Sequence, residues 1–180
     1  MSEEQLAVER KIIAREYRAL LKNSKRISND ADKVLIRKAF DLAVEAHQDT
    51  RRKSGEAYIF HPIAVARIVS EEIGLGTTSI VCALLHDVVE DTEINLDDIE
   101  SLFGPRVRLI IDGLTKIKGA HFLENASMQA ENFRKMLLTL SEDVRVILIK
   151  LSDRLHNMRT LDSMPQNKQL KIASETIYLY

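Results

Sequence analysis

Ser79-Ile80-Val81-Cys82-Ala83-Leu84-Leu85-His86-Asp87-Val88-Val89-Glu90-Asp91 is the stretch on which the reading of this chain turns. The apolar residues Ile80 to Leu85 run into four ionisable side chains, His86, Asp87, Glu90 and Asp91. An apolar segment with no polar face suits a helix buried all round. Continued as one helix, it sets His86 above Glu90 and Asp87 above Asp91, each pair one turn apart. Burying that much polarity is costly unless something satisfies it, and a metal ion would. A solvated helix end is the plainer account of the same pattern.

Two other places carry polarity that looks out of position. His61-Pro62 precedes the apolar-periodic segment Ile63 to Ile73, which predicts His61 as a helix cap with Pro62 at the first helical position. Val144 to Leu151 is nearly all apolar and runs into Asp153, Asn157 and Thr160, spaced to share a helix face. Singly, His61 reads as a cap and Asp153 as the salt-bridge partner of Arg154 or Arg159 on a solvated face. Jointly, His61, His86, Asp87 and Asp153 make a mixed nitrogen and oxygen set. Such a set suits a divalent ion that is not thiophilic, Mn²⁺, Fe²⁺ or Zn²⁺. The chain has one cysteine, Cys82, which excludes a thiolate zinc finger and reads as an inert buried thiol.

The rest of the sequence predicts an all-α fold in one domain of 180 residues. Helices are expected over Glu4 to Lys22, with Leu6, Ile13, Tyr17 and Leu20 or Leu21 inward, and after an Asn29-Asp30 cap, with Leu35, Ala39, Leu42 and Ala46 inward. Further helices start at Pro62 and Thr77, cover Leu96 to Phe103, and run from Gly104-Pro105 toward Gly113. Others are expected over Gln129 to Leu140, over Val144 to Leu161 behind a Ser141-Glu142-Asp143 cap, and from Gln166 onward. Arg51-Arg52-Lys53-Ser54-Gly55-Glu56 forms a basic loop, and Lys116 to Met128 is irregular, a candidate mobile switch. No segment alternates with period two. Net charge is −1, so bulk charge favours neither nucleic acid nor a membrane, and any anionic ligand needs a local basic patch. No apolar run has the length of a membrane span and the acidic N-terminus is unlike a signal peptide, which points to the cytoplasm.

Three segments, Arg52 to Pro62, Ala83 to Thr92 and Lys150 to Leu161, carry the His…His-Asp…Asp set in a form that resembles the HD-domain phosphohydrolase superfamily. More narrowly they are similar to the N-terminal hydrolase domain of the RelA/SpoT homologues, which make and destroy the alarmone (p)ppGpp in the bacterial stringent response. The intact His86-Asp87-Val88-Val89-Glu90-Asp91 signature implies an active hydrolase. Gln129 to Leu137 and Ile172 to Tyr178 resemble the long bifunctional members, which implies that Gln166 to Tyr180 begins a linker helix toward an absent synthetase domain. Ala57 and Ser152 depart from the family pattern, where proline and alanine are frequent; neither position is a ligand.

The resemblance implies that His61, His86, Asp87 and Asp153 hold one Mn²⁺ per chain. Glu90 and Asp91 would orient or deprotonate the water that attacks the 3′-pyrophosphate of (p)ppGpp, leaving GDP or GTP. Arg52, Lys53, Ser54, Asn157 and Thr160 would contact the guanine nucleotide, with Arg52 suited to stack on the purine. No direct contact of this domain with nucleic acid is expected; contact of a longer parent protein with the ribosome is left open. Two other readings stand beside this one: an HD-type phosphohydrolase for another nucleotide or phosphoester, and a module that binds the alarmone without turnover.

Overall fold

A computed structural model describes residues 2–115 and 142–179, so the expectations for Lys116 to Met128, Gln129 to Leu140 and Ser141 fall outside the described residues. Helix α1 spans Glu3–Asn23, α2 Asp30–Ala46, α3 Phe60–Arg67, α4 Thr77–Leu85, α5 Val88–Asp91, α6 Leu96–Phe103, α7 Pro105–Leu114, α8 Arg145–Arg159 and α9 Gln166–Leu179. Among the described residues there is no strand, only an isolated bridge between Arg51 and Ala57 at the neck of the basic loop. The all-α expectation holds.

Helix α4 is the hub. Every residue from Ser79 to Leu85 is buried, and α2, α3, α7 and α8 pack around it. That all-round packing is what its unbroken apolar sequence calls for. Cys82 lies fully buried, and burial pushes its thiol pKa up, consistent with an inert side chain. Helix α1 begins with a capping box, Ser2 and Gln5 exchanging side-chain and backbone hydrogen bonds. It docks through Tyr17 and Leu20, and Tyr17 stacks on Phe40 of α2 with ring centroids 4.3 Å apart. Leu6, expected inward, is instead 38% exposed, and the helix buries Tyr17 and Leu20 further along. In α2 the fully covered stripe is Ile36, Ala39, Phe40 and Ala43, with the expected Leu35, Leu42 and Ala46 on its flank. Asn29 caps α2 as expected, its Oδ1 accepting the Asp32 N–H at 2.8 Å.

Two local expectations are corrected. Helix α3 starts at Phe60, not Pro62: the chain already winds at Tyr58, whose carbonyl accepts the His61 N–H at 2.9 Å. His61 is therefore inside the first turn, and Pro62 takes a position where a missing N–H removes no helical hydrogen bond. Beyond Arg67 the segment passes into a π-helical turn, Ile68–Glu72. The helix from Thr77 also does not run unbroken to Asp91. It lapses at His86 and Asp87, where Asp87 sits at φ −103°, ψ −7°, and resumes as α5. On a regular helix neighbours diverge by about 100°; the turn lets these two adjacent side chains aim at one point.

Asp143 does the capping expected before α8. Its Oδ1 accepts the Arg145 N–H at 3.0 Å, although the helical hydrogen bonding starts at Arg145. Ser152 is buried and donates its hydroxyl to the Leu148 carbonyl at 2.8 Å, which explains how a polar residue is tolerated there. Gly104 joins α6 to α7 at φ +86°, a left-handed conformation open to glycine, and Pro105 opens the next helix.

A candidate metal centre in a basic-walled cleft

His61 of α3, the His86-Asp87 turn and Asp153 of α8 meet where those three elements cross. Asp87 Oδ2 lies 3.0 Å from His86 Nε2 and 3.8 Å from His61 Nε2. Asp153 Oδ1 lies 3.2 Å from His61 Nε2 and 3.8 Å from His86 Nε2. Ligand atoms of His61, His86 and Asp153 fall within 4.8 Å of one another. Asp153 thus faces the imidazoles rather than pairing with Arg159, whose guanidinium bonds Glu72 at 2.6 Å.

The donor chemistry fits a divalent cation. His86 Nδ1 lies 2.8 Å from the Ala83 carbonyl, which can only accept, so Nδ1 carries a proton. Nε2 is buried, close to Asp87, and finds no hydrogen bond of good geometry. A second-sphere carbonyl fixing the tautomer of an imidazole is a recurrent feature of metal-ligating histidines. Burial opposes protonation of His86, yet the Asp87 carboxylate outweighs it and the pKa is pushed up to about 9. Burial would raise Asp87, but the His86 charge beside it holds it well below the usual carboxylate range. Asp153 is likewise lowered: its burial is outweighed by its contact with His61 and by the charge of His86. His61 goes down, chiefly by burial. The two carboxylates thus draw positive charge to the cluster, from His86 itself or from an ion that takes its place.

A cleft of about 420 Å³ opens above this cluster, lined by His61, Asp87, Asp153, Glu90 and Asp91 on one side. Arg51, Arg52, Lys53, Lys150 and Lys168 line it too, with Met164 and Ile172 supplying apolar surface. A chain of net charge −1 therefore gathers its cations locally, as an anionic ligand beside a metal requires.

Of the predicted nucleotide contacts, Lys53 and Asn157 line the cleft, whereas Ser54 and Thr160 do not. Ser54 lies exposed in the loop. Thr160 caps α8, and its Oγ1 lies 3.5 Å from Arg52 Nη2. Arg52 also donates to Asn157 Oδ1 at 3.2 Å, and its Nη1 lies 3.3 Å from His156 Nδ1. These are contacts of the guanidinium edge, and stacking on a base uses its face. The loop is held from outside by Arg51, which bonds both Glu9 oxygens at 2.8 and 2.9 Å and the Gly55 carbonyl.

The sequence reading missed Tyr58, His156, Lys150 and Lys168. Tyr58 donates its hydroxyl to Asp87 Oδ2 at 2.5 Å, and burial together with that carboxylate raises its own pKa. His156 stands 2.8 Å from His61, ring nitrogen to ring nitrogen. Burial, then the charges of His61 and Arg52, push it down to about 4. Its position three residues after Asp153, on the face of a ligand-bearing helix, was the available signal.

These features define a member of the HD domain family, and the chain belongs to it: the HD domain model matches residues 39–180. Within it the relatives are of the RelA/SpoT type. The chain is 49% identical over 142 residues to a probable guanosine-3′,5′-bis(diphosphate) 3′-pyrophosphohydrolase of Synechocystis, covering 79% of this chain and 19% of that protein. It is 47% identical over 145 residues to the bifunctional (p)ppGpp synthase/hydrolase SpoT of Escherichia coli, covering 81% of this chain and 20% of the relative. A "GTP pyrophosphokinase rsh" of Brucella melitensis is 44% identical over 161 residues, 89% of this chain and 21% of that one. The chain thus spans about a fifth of the length of these curated relatives. Among solved structures, a metazoan ortholog of SpoT, described as hydrolysing ppGpp, matches with a TM-score of 0.65 and 30% identity, over 76% of this chain and 78% of that one.

Proposed function

We propose that this chain is a Mn²⁺-dependent (p)ppGpp 3′-pyrophosphohydrolase acting in the cytoplasm in the stringent response. The observation that carries the reading is the convergence of His61, His86, Asp87 and Asp153, three of which line a cleft that five basic side chains line as well. The names of the relatives supply the substrate class. The bound ion would supply Lewis-acid polarisation of a phosphate oxygen and acidify a water. Glu90 and Asp91, on the short helix that follows the ligand turn, line the same cleft and are suited to orient that water and take its proton. Lys53, Lys150 and Lys168 are suited to the diphosphates, and Arg52 and Asn157 to the guanosine.

The test is release of pyrophosphate from ppGpp by the purified chain, with and without added Mn²⁺ after chelation. Metal-dependent release supports the reading. Binding of ppGpp without turnover leaves an alarmone-binding module, and turnover of other nucleotides in its place leaves a different HD phosphohydrolase. Full activity in a chelated, metal-free sample excludes the metal. Ser54 and Thr160 lie off the cleft lining, so any part they take in nucleotide binding is through the loop and through Arg52.

A further inference from the structure

We propose that Glu9 of α1 is a positioning residue for nucleotide binding: through Arg51 it holds the basic loop in the place from which Arg52 and Lys53 line the cleft. Arg51 Nη1 donates to Glu9 Oε1 at 2.8 Å and Nη2 to Glu9 Oε2 at 2.9 Å, an end-on pairing of guanidinium and carboxylate. Nη1 also donates to the Gly55 carbonyl at 2.9 Å, so one side chain ties the tip of the loop to its neck and both to α1. Hydrogen bonds from Arg51, with a smaller contribution from the Ala57 N–H, hold the Glu9 carboxyl below its ordinary range. Glu9 thus meets both sides of the neck that the bridge between Arg51 and Ala57 defines. Surface ion pairs are ordinarily worth little, and bidentate arginine–carboxylate geometry is the exception. This pair has that geometry, and its side chains are only 35% and 19% exposed.

The loop needs a support from outside. Its own hydrogen bonds, from the Arg52 N–H to Glu56 at 2.9 Å and from the Gly55 N–H to Arg52 at 2.9 Å, set its shape and not its attitude toward the cleft. Residues 53–56 are exposed, and the ion pair itself lines an open groove with Val8, Ile12 and Phe60. Tyr58, bonded to Asp87, fixes one end of the loop. The other end leans on α8 through Arg52, which donates to Asn157 at 3.2 Å. Arg52 gives up that contact when it turns to a guanosine. Glu9 is then the anchor that stays at this end, because it grips Arg51. Helix α1 can bear the load. Its Tyr17 and Leu20 are buried, and Glu16, two turns beyond Glu9 on the same face, accepts from Arg67 of α3 at 3.2 Å. Glu9 also meets the charge of Arg51, so Arg52 and Lys53 are what the loop offers to an anion.

The inference rests on the nucleotide reading of the cleft, and two measurements separate their failures. In the nucleotide-free protein, Glu9→Ala should speed hydrogen exchange at the Arg52 and Gly55 amides and leave the α4 amides at the wild-type rate. Unchanged exchange in the loop overturns the proposal, and this readout needs neither ion nor substrate. With ppGpp, Glu9→Ala should raise KM about 5-fold, the upper end for such an ion pair, with kcat and Mn²⁺ affinity as in wild type. Glu9→Gln, which keeps an oxygen acceptor and loses the charge, should fall between the two. In an Arg51→Ala background Glu9→Ala should add little, and full additivity overturns the route through Arg51. A loosened loop with unaltered KM in an active enzyme overturns the proposal, as does a fall in kcat as large as the rise in KM. If Glu9→Ala does not fold, Glu9→Gln carries the same tests. A wild-type protein that neither binds nor hydrolyses ppGpp, while Glu9→Ala loosens the loop, sinks the nucleotide reading and leaves the hold of Glu9 on the loop standing.

Discussion

His86 and Asp87 are neighbours in the chain, and their side chains still meet at 3.0 Å because the helix lapses between them. Each is one of the four side chains proposed to hold the ion, and removing one of four ligands ordinarily abolishes tight binding. His86→Ala and Asp153→Ala should therefore lose both bound Mn²⁺, measured by titration, and pyrophosphate release. Glu90→Gln separates ligand from base: it should keep the ion and lose about 10²- to 10⁴-fold in rate, the usual contribution of a general acid or base. Loss of the ion from Glu90→Gln would instead make Glu90 a ligand. Arg52→Ala should raise KM for ppGpp with metal content unchanged, and an unaltered KM would leave its contacts to His156 and Asn157 structural only. At this scale the clustering of His61, His86, Asp87 and Asp153 was legible, since each is a polar residue interrupting an apolar run. Tyr58 and His156 were not. Their significance lies in what they touch, Asp87 and His61, and local spacing does not contain those distances.

Among the elements, α8 supplies the most candidate site residues, because Asp153, His156, Asn157 and Thr160 all project from it or cap it. Its start is fixed by Asp143. This buried carboxylate accepts the Arg145 backbone N–H at 3.0 Å, binds the Arg145 guanidinium at 2.6 Å, and lies 2.9 Å from Arg106 Nε. The Arg145 hydrogen bonds hold the Asp143 pKa below its ordinary 3.8. A carboxyl whose folded pKa is depressed contributes stability that is present above the unfolded pKa and is lost as pH falls through the folded one. Asp143→Ala should thus cost about 1 to 2 kcal/mol at pH 7, the range for a lost helix cap, since the arginines it leaves behind reach solvent. The difference from wild type should shrink below pH 4, read by urea unfolding at each pH. A gap that stays constant down to acid pH would show that the hydrogen-bond geometry matters and the charge does not. Helix α8 itself was legible from its apolar start. The lapse at His86 was not: Val88 and Val89 continue the apolar period, and the tertiary pull of Asp87 toward Tyr58 and the imidazoles overrides it.

Across the whole molecule, the cleft draws its ligands from α3, the α4–α5 turn and α8, and its cations from the basic loop, α8 and α9. Lys53 belongs to the basic loop, but Lys150 sits in an apolar run and Lys168 among uncharged polar neighbours far along the chain, so a near-neutral composition hides the patch they form together. The all-α class needed only local periodicity and was legible throughout the described residues; the cationic wall is a product of the fold. Because this one chain supplies the ligand set, the carboxylates beside it and the basic wall, it should hydrolyse ppGpp unaided. It should make no (p)ppGpp from ATP and GDP or GTP, because every group placed here belongs to a single cleft built around one ion and an anionic ligand. Both activities can be followed in parallel with labelled nucleotides, one as release of pyrophosphate and the other as its transfer. Synthesis by this chain would require a second nucleotide site. Inactivity in hydrolysis, with Mn²⁺ and ppGpp both bound, would mean that a group from elsewhere in a longer protein completes the cleft.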